Sequence, residues 1–224
     1  MRRAVMVTFL KAKSFKRQEE MKKPRRELLE GAFNVIGAAT YILSSAYLLN
    51  DFIGTHRVSD LFMLSRRFLF ALFFAVRKTP PKATNLAPRD WIVAFCGSFM
   101  QNALIPAPDV HDNIFIEVLQ AAGFVFCIGG ALSLNESFGV VPANRGIKSK
   151  GFYKWVRHPI YAGYFLEALG YLMQNLTISN MIVMVLWVLF QLRRIFIEEE
   201  YLSKDEAYRE YKKKVRWRIL PPLY

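Results

Sequence analysis

Long stretches without a charged residue constrain this fold more than any other feature of the chain. Such runs cover residues 31–50, 91–108, 118–135 and 168–192, and they are 20, 18, 18 and 25 residues long. The third extends towards Ile114 past one acid. A helix needs about 20 mostly apolar residues to cross a bilayer. We therefore expect an all-α fold, a polytopic integral membrane helical bundle.

The last charge-free run is too long for a single span. Its apolar character begins at Ile160, so the whole stretch 160–192 is interrupted only by Glu167. The polar residues 174–177 divide it, which predicts a tight hairpin of two helices. Pro159 suits the first position of the earlier helix, because that position needs no backbone N–H.

Residues 61–76 form a further candidate span, although Arg66 and Arg67 lie in its middle. Charge at the centre of a bilayer is costly, so we expect these two arginines to be structural or interfacial. Including this segment brings the prediction to about six transmembrane helices.

The distribution of positive charge predicts a topology. The chain has 31 Lys and Arg against 18 Asp and Glu. Of the 31, 28 fall in four segments: 1–30, 77–90, 136–158 and 193–224. Six spans put all four on one side, which the positive-inside rule makes cytoplasmic together with both termini. We expect a multi-pass protein of a bacterial inner membrane or an endomembrane, with membrane lipids and no nucleic acid as partners.

Several familiar sites are absent from the sequence. Two cysteines, Cys96 and Cys127, and three scattered histidines predict neither a disulfide framework nor a metal site. Phosphate-loop, G-x-S-x-G and H-E-x-x-H motifs are missing. Gly129-Gly130 lies in an apolar helix and predicts close helix packing.

Chemistry is expected in two polar segments that topology places on one face. One is the loop 134–158 and the other is the tail 193–224. His158 stands at the entrance of the fifth helix, and Tyr161 follows three residues later on roughly the same helix face. In the tail, Arg194 and Glu198 are four residues apart on one helix face. They form either an ordinary helical ion pair or a cation and carboxylate aimed into a pocket.

The order and spacing of these residues resemble the isoprenylcysteine carboxyl methyltransferase family, within a wider group of membrane-embedded methyltransferases that includes phospholipid methyltransferases. The resemblance covers about residues 134–224. Its motif residues are Gly151, Tyr153, Arg157-His158-Pro159, Tyr161, Gly163, Arg194, Glu198-Glu199, Leu202, Tyr208 and Tyr211. We accordingly divide the chain into a basic cytoplasmic segment (1–30), amino-terminal transmembrane helices (31–133) and a methyltransferase-like catalytic region (134–224).

The resemblance implies S-adenosylmethionine as methyl donor, held between the cytoplasmic loop and the tail. It implies a lipophilic or lipid-modified acceptor, with Arg194 orienting the acceptor and Glu198 holding the cofactor as the catalytic pair. The implied cofactor-binding residues are Arg145, Gly146, Ile147, Lys148, Tyr153, His158, Pro159, Ile160, Tyr161 and Glu198. Glu167 is a separate candidate, either in a substrate tunnel or as a buried structural acid.

Two other functions stay open. A sterol-reductase-like membrane enzyme would bind NADPH in a similar carboxyl-terminal half. A non-enzymatic membrane scaffold would tolerate Glu198→Gln. In the tail, Tyr208, Tyr211, Trp217 and Tyr224 are expected to dock on the membrane or on the catalytic region. Residues 212–214 are expected to contact anionic lipid head groups.

Overall fold

The computed structural model describes residues 28, 31–32, 34–76, 83–84, 87–108, 110–134, 143–144 and 146–221. These residues form an all-helical fold. Its helices are α1 (residues 34–55), α2 (Val58–Val76), α3 (Pro88–Phe99), α4 (Ile114–Leu134), α5 (Pro159–Gln174), α6 (Ile178–Leu202) and α7 (Glu206–Lys214). Short 3-10 helices cover Met100–Ala103 and Gly151–Lys154, and two-residue strands β1 (Ala83–Thr84) and β2 (Ala143–Asn144) pair antiparallel.

Two of the described helices, α4 and α6, are long and apolar enough to cross a membrane. Both coincide with predicted spans. The six-span arrangement and the division into three regions stay predictions, and the predicted segment 1–30 lies outside the described residues apart from Leu28.

The charge-free run 91–108 is helical only as far as residue 103, and the span predicted there stays a prediction. Helix α3 ends after 12 residues, and a 3-10 turn and an extended segment follow it. Pro106 and Pro108 favour the extended segment after Ala103, because a proline disfavours helical backbone in the residue before it. The side chain of Asn180 also holds this segment, since it accepts from Ile105 N at 3.1 Å and donates to Ile105 O at 2.8 Å.

The predicted hairpin between α5 and α6 is confirmed. Pro159 is the first residue of α5, as expected. The Thr177 side chain caps α6 by accepting from Asn180 N at 3.1 Å. Asn175, fully buried in the turn, accepts from the backbone of Ala107 at 2.9 Å and from the Arg57 guanidinium at 3.3 Å. The turn thus fixes the extended segment that follows α3.

Small residues bring α4 and α5 into close contact, as the Gly129-Gly130 pair predicts. A Cβ atom at Gly163 would lie 2.5 Å from both Cys127 Sγ and Gly123 O. At Gly130 it would lie 2.7 Å from the Ile160 side chain. Close approach of backbones through small residues is typical of helix pairs in membranes. This seam holds the start of α5 in place.

Candidate functional site

The loop before α5 and the tail after α6 are in direct contact. The backbone N–H of Arg157 donates to Trp217 O at 2.9 Å, and that of His158 donates to Arg218 O at 2.8 Å. The Arg157 guanidinium also donates to Val215 O at 2.8 Å. The meeting of loop and tail predicted from topology is therefore present in the fold.

A buried carboxylate, Glu199, joins these two segments to α6. Its Oε1 accepts from Arg157 Nε at 2.6 Å and lies 3.3 Å from His158 Nε2. Its Oε2 accepts from Arg218 Nε at 3.0 Å and lies 3.6 Å from Lys212 Nζ. Only 3% of Glu199 is exposed. Sequence reasoning named Glu199 as part of the motif and gave it no role of its own.

The neighbouring acid, Glu198, belongs to a second cluster built around Tyr161. The Tyr161 hydroxyl donates to Glu198 Oε2 at 2.5 Å. The Arg194 guanidinium carbon lies 5.1 Å from the Tyr161 ring centroid, and its Nη1 donates to Ser98 Oγ of α3 at 2.8 Å. His158 stacks on Tyr161, with centroids 5.2 Å apart and an interplanar angle of 17°. The structure thus brings together all four side chains that the spacing arguments singled out.

Aromatic side chains of α7 dock on Tyr153. Tyr153 is buried against Tyr208, Tyr211 and Val215, and the Tyr211 hydroxyl donates to the Tyr153 carbonyl at 2.8 Å. Burial raises the pKa of the Tyr153, Tyr208 and Tyr211 phenols, so all three stay neutral at physiological pH. The predicted docking of Tyr208 and Tyr211 on the catalytic region is confirmed, and Tyr224 lies outside the described residues.

The remaining predicted cofactor residues divide into two groups. Gly146 has a φ of 94°, a left-handed conformation suited to glycine, and opens the described part of the loop. Ile147 packs against the Tyr153 cluster, and Lys148 is partly exposed. Arg145 lies outside the described residues.

Pro159 and Ile160 form the first turn of α5, and both side chains are buried against Gly130. Any cofactor contact from these two residues would therefore come from the backbone at the positive end of the helix.

Glu167 forms a buried ion pair in the middle of the bundle. Its Oε2 lies 2.9 Å from Arg66 Nε, and both side chains are essentially inaccessible to solvent. The Arg66 guanidinium lies 5.6 Å from the Tyr164 ring centroid. Arg67 donates to the carbonyls of Ser44 and Asn102. Both arginines are structural, which is one of the two roles predicted for them. A substrate role of Glu167 stays a prediction.

The Tyr161 cluster offers a defined set of chemical groups. It combines a buried guanidinium, a half-buried carboxylate, a phenol and an imidazole. Among the described residues, His, Cys, Asp and Glu side chains form no group of three that could hold a metal ion. The groups present suit a ligand that carries both positive and negative charge and a flat ring.

Comparison with known proteins points to one family. Residues 125–204 match the family model of isoprenylcysteine carboxyl methyltransferases. A Schizosaccharomyces pombe protein named protein-S-isoprenylcysteine O-methyltransferase is 34% identical over 124 residues, covering 48% of this chain and 52% of the relative. A Saccharomyces cerevisiae protein of the same name is 42% identical over 69 residues, covering 29% of this chain and 28% of the relative.

The chain spans about half the length of the fission-yeast relative that it matches. The matched region contains the described loop, α5 and α6, and with them every side chain of the Tyr161 cluster except Ser98. Residues 125–204 therefore resemble the isoprenylcysteine carboxyl methyltransferase family, whose family model they match.

Proposed function

We propose that this protein is an integral membrane methyltransferase that transfers a methyl group from S-adenosylmethionine to the carboxylate of a lipophilic, prenylcysteine-like acceptor. One observation carries the proposal: a cation and a carboxylate from successive turns of α6, Arg194 and Glu198, both contact the phenol of Tyr161. The names of the yeast relatives supply the substrate class.

The residues present fit S-adenosylmethionine, which carries a sulfonium, an ammonium, a carboxylate and a flat adenine ring. Glu198 offers a half-buried carboxylate for an ammonium or a ribose hydroxyl. The stacked rings of His158 and Tyr161 offer apolar faces and polar edges. When bound, this cofactor supplies an activated methyl group. Glu198, His158 and the first turn of α5 would hold it.

Arg194 would pair with the carboxylate of the acceptor. Arg194 is 4% exposed, and its guanidinium is already positioned by Ser98 and the Tyr161 ring. A carboxylic acid is ionised at neutral pH, so the acceptor needs no general base. The protein contributes chiefly by holding acceptor and donor in line, and such positioning can supply a large part of a rate enhancement.

The position of the cluster suits two ligands of different solubility. Arg194 and Glu198 lie in the carboxyl-terminal third of α6, a helix long and apolar enough to span a membrane. A site near the end of a span is accessible to a lipid anchor from the bilayer and to a water-soluble cofactor from the cytoplasm.

The test is calorimetric titration of full-length detergent-purified protein with S-adenosylhomocysteine, the product expected from the donor. Glu198→Gln should weaken this binding by about tenfold or more, because a hydrogen bond to a charged group is worth about 1.5–3 kcal/mol. Glu200→Gln, a change at an exposed neighbour on the same helix, should leave the affinity unchanged.

Arg194 is tested by methyl transfer to a small S-farnesylcysteine derivative. Arg194→Gln should lower kcat/KM by about a hundredfold, because losing one partner of a buried charge pair costs about 2–5 kcal/mol. The affinity for S-adenosylhomocysteine should stay unchanged, which also shows that the variant is folded. Arg194→Lys should recover part of the lost activity.

Two results would overturn the proposal. Binding of NADPH without S-adenosylhomocysteine would favour the reductase. Binding of neither ligand to demonstrably folded protein would favour the scaffold.

A further inference from the structure

An open groove lies at the junction of the loop and the tail, formed by residues to which the proposed reaction assigns no role. Its volume is about 400 Å³. Three cations, two tryptophans and one valine make up most of its lining: Lys154, Lys214, Arg216, Trp155, Trp217 and Val215.

The cations of the groove are available for a ligand. Lys154, Lys214 and Arg216 are all exposed. Within the described parts of the chain, no carboxylate lies at ion-pair distance from any of them. Lys213 differs, because its Nζ lies 2.7 Å from Glu210 Oε1 and its side chain is outside the groove.

One wall of the groove is fixed by aromatic packing. Trp155 is 61% exposed, yet its ring meets Phe152 edge to face with centroids 5.3 Å apart. Phe152 fills the space above Gly129, where a side chain would collide with it. An exposed tryptophan is therefore held in a defined position.

The other wall is fixed by hydrogen bonds to Arg157. Its guanidinium donates to the carbonyls of Val215 and Arg216 at 2.8 and 2.6 Å, and its backbone N–H donates to Trp217 O at 2.9 Å. Val215 is 7% exposed and forms an apolar floor. With both walls fixed, a ligand can bind without first ordering the groove, which reduces the entropic cost of binding.

The groove lies near one end of a candidate membrane span. Glu199, in the last turn of α6, binds Arg157 directly, and Arg157 holds the groove wall. Exposed tryptophan beside Lys and Arg is the combination found where a protein meets lipid head groups. An acidic peptide would use the cations and leave the apolar faces of Trp155 and Trp217 in water.

We propose that this groove binds the head group of an anionic phospholipid. The three cations contact the phosphate and the head-group carboxylate, and the two tryptophans contact the glycerol and upper acyl region. The proposal depends on membrane insertion of α6 and is independent of methyl transfer.

The test uses full-length protein in nanodiscs of phosphatidylcholine that contain a minor share of phosphatidylserine with brominated acyl chains. Bromine quenches nearby tryptophan fluorescence. Brominated phosphatidylserine should quench more than brominated phosphatidylcholine at the same mole fraction. Each cation changed to glutamine should raise the phosphatidylserine content needed for half-maximal quenching by about fivefold.

The variants are Lys154→Gln, Lys214→Gln, Arg216→Gln and their combination, and Lys213→Gln is the matched control that should behave as the unmodified protein. Trp91 and Trp187 lie outside the groove and contribute a constant background. Thermal unfolding verifies that each variant is folded.

Three results would overturn the proposal. The first is equal quenching by brominated phosphatidylserine and brominated phosphatidylcholine. The second is stronger quenching by phosphatidylserine that persists in the triple variant. The third is loss of this stronger quenching in Lys213→Gln as well. If these substitutions weaken the binding of an oligoglutamate peptide and leave the binding of phosphatidylserine unchanged, the occupant is an acidic protein segment and the lipid assignment is wrong.

Discussion

Two adjacent acids on α6 have separate tasks. Glu198 accepts from the hydroxyl of Tyr161 in the candidate site. Glu199 is turned about 100° around the helix and accepts from Arg157 and Arg218. One carboxylate is therefore available for ligand binding, whereas the other fixes the loop and the tail to the helix.

This division predicts that Glu199→Gln destabilises the protein. The substitution keeps the shape of the side chain and leaves the buried Arg157 guanidinium without an anion. Removing one partner of a buried ion pair costs about 3–5 kcal/mol. We expect a lower thermal unfolding midpoint and faster proteolysis of the tail. The exposed neighbour Glu200→Gln serves as control, and an unchanged midpoint and cleavage pattern would contradict the structural role of Glu199.

At the scale of single residues, the sequence was most informative about neighbours on one helix. The spacings of three and four residues correctly paired His158 with Tyr161 and placed Arg194 with Glu198. The sequence did not predict the role of Glu199, because its partners Arg157 and Arg218 are 42 and 19 residues away along the chain. Helical periodicity shows which side chains share a face, and it does not show what packs against that face.

Among the helices, the seam between α4 and α5 depends on small residues. Gly163→Ala adds one methyl group where Cys127 Sγ and Gly123 O are only 2.5 Å from the new atom. Since backbone cannot move aside cheaply, we expect a cost of about 1–3 kcal/mol and an unfolding midpoint lower by about 2–4 °C per kcal/mol. Gly54→Ala is the matched control, because nothing lies within 4 Å of its added methyl group.

An equal unfolding midpoint for the two alanine variants would show that the contact between α4 and α5 can accommodate an added methyl group. A loss of stability at Gly54 would show that glycine is needed there for some other reason.

The charge-free runs predicted the helices correctly in some segments of the chain and not in others. The polar residues 174–177 correctly marked the hairpin. The run 91–108 does not form a single helix, because the absence of charge indicates only that a segment is apolar and does not determine its backbone conformation. Two prolines and the side chain of Asn180, which binds backbone 75 residues away, hold the segment after Ala103 in an extended conformation.

For the whole molecule, the charge pattern predicts on which side of the membrane each connecting segment lies. Six spans place the segment 136–158 on the cytoplasmic side and the segment 51–60 on the other side. Ser149 and Thr55 are exposed residues of these two segments. The native cysteines are only partly exposed or buried, at Cys96 and Cys127, and can be replaced to give a background without thiols.

Labelling with a membrane-impermeant maleimide in sealed, right-side-out vesicles then tests the topology. Thr55→Cys should react in intact vesicles, and Ser149→Cys should react only after the membrane is opened with detergent. The same orientation puts Arg194 and Glu198 at the cytoplasmic end of α6, where a soluble cofactor can reach them. If both cysteines react from the same side, an even number of crossings separates residues 55 and 149, and the six-span topology is wrong. The cofactor and the cationic groove would then require a different placement relative to the membrane.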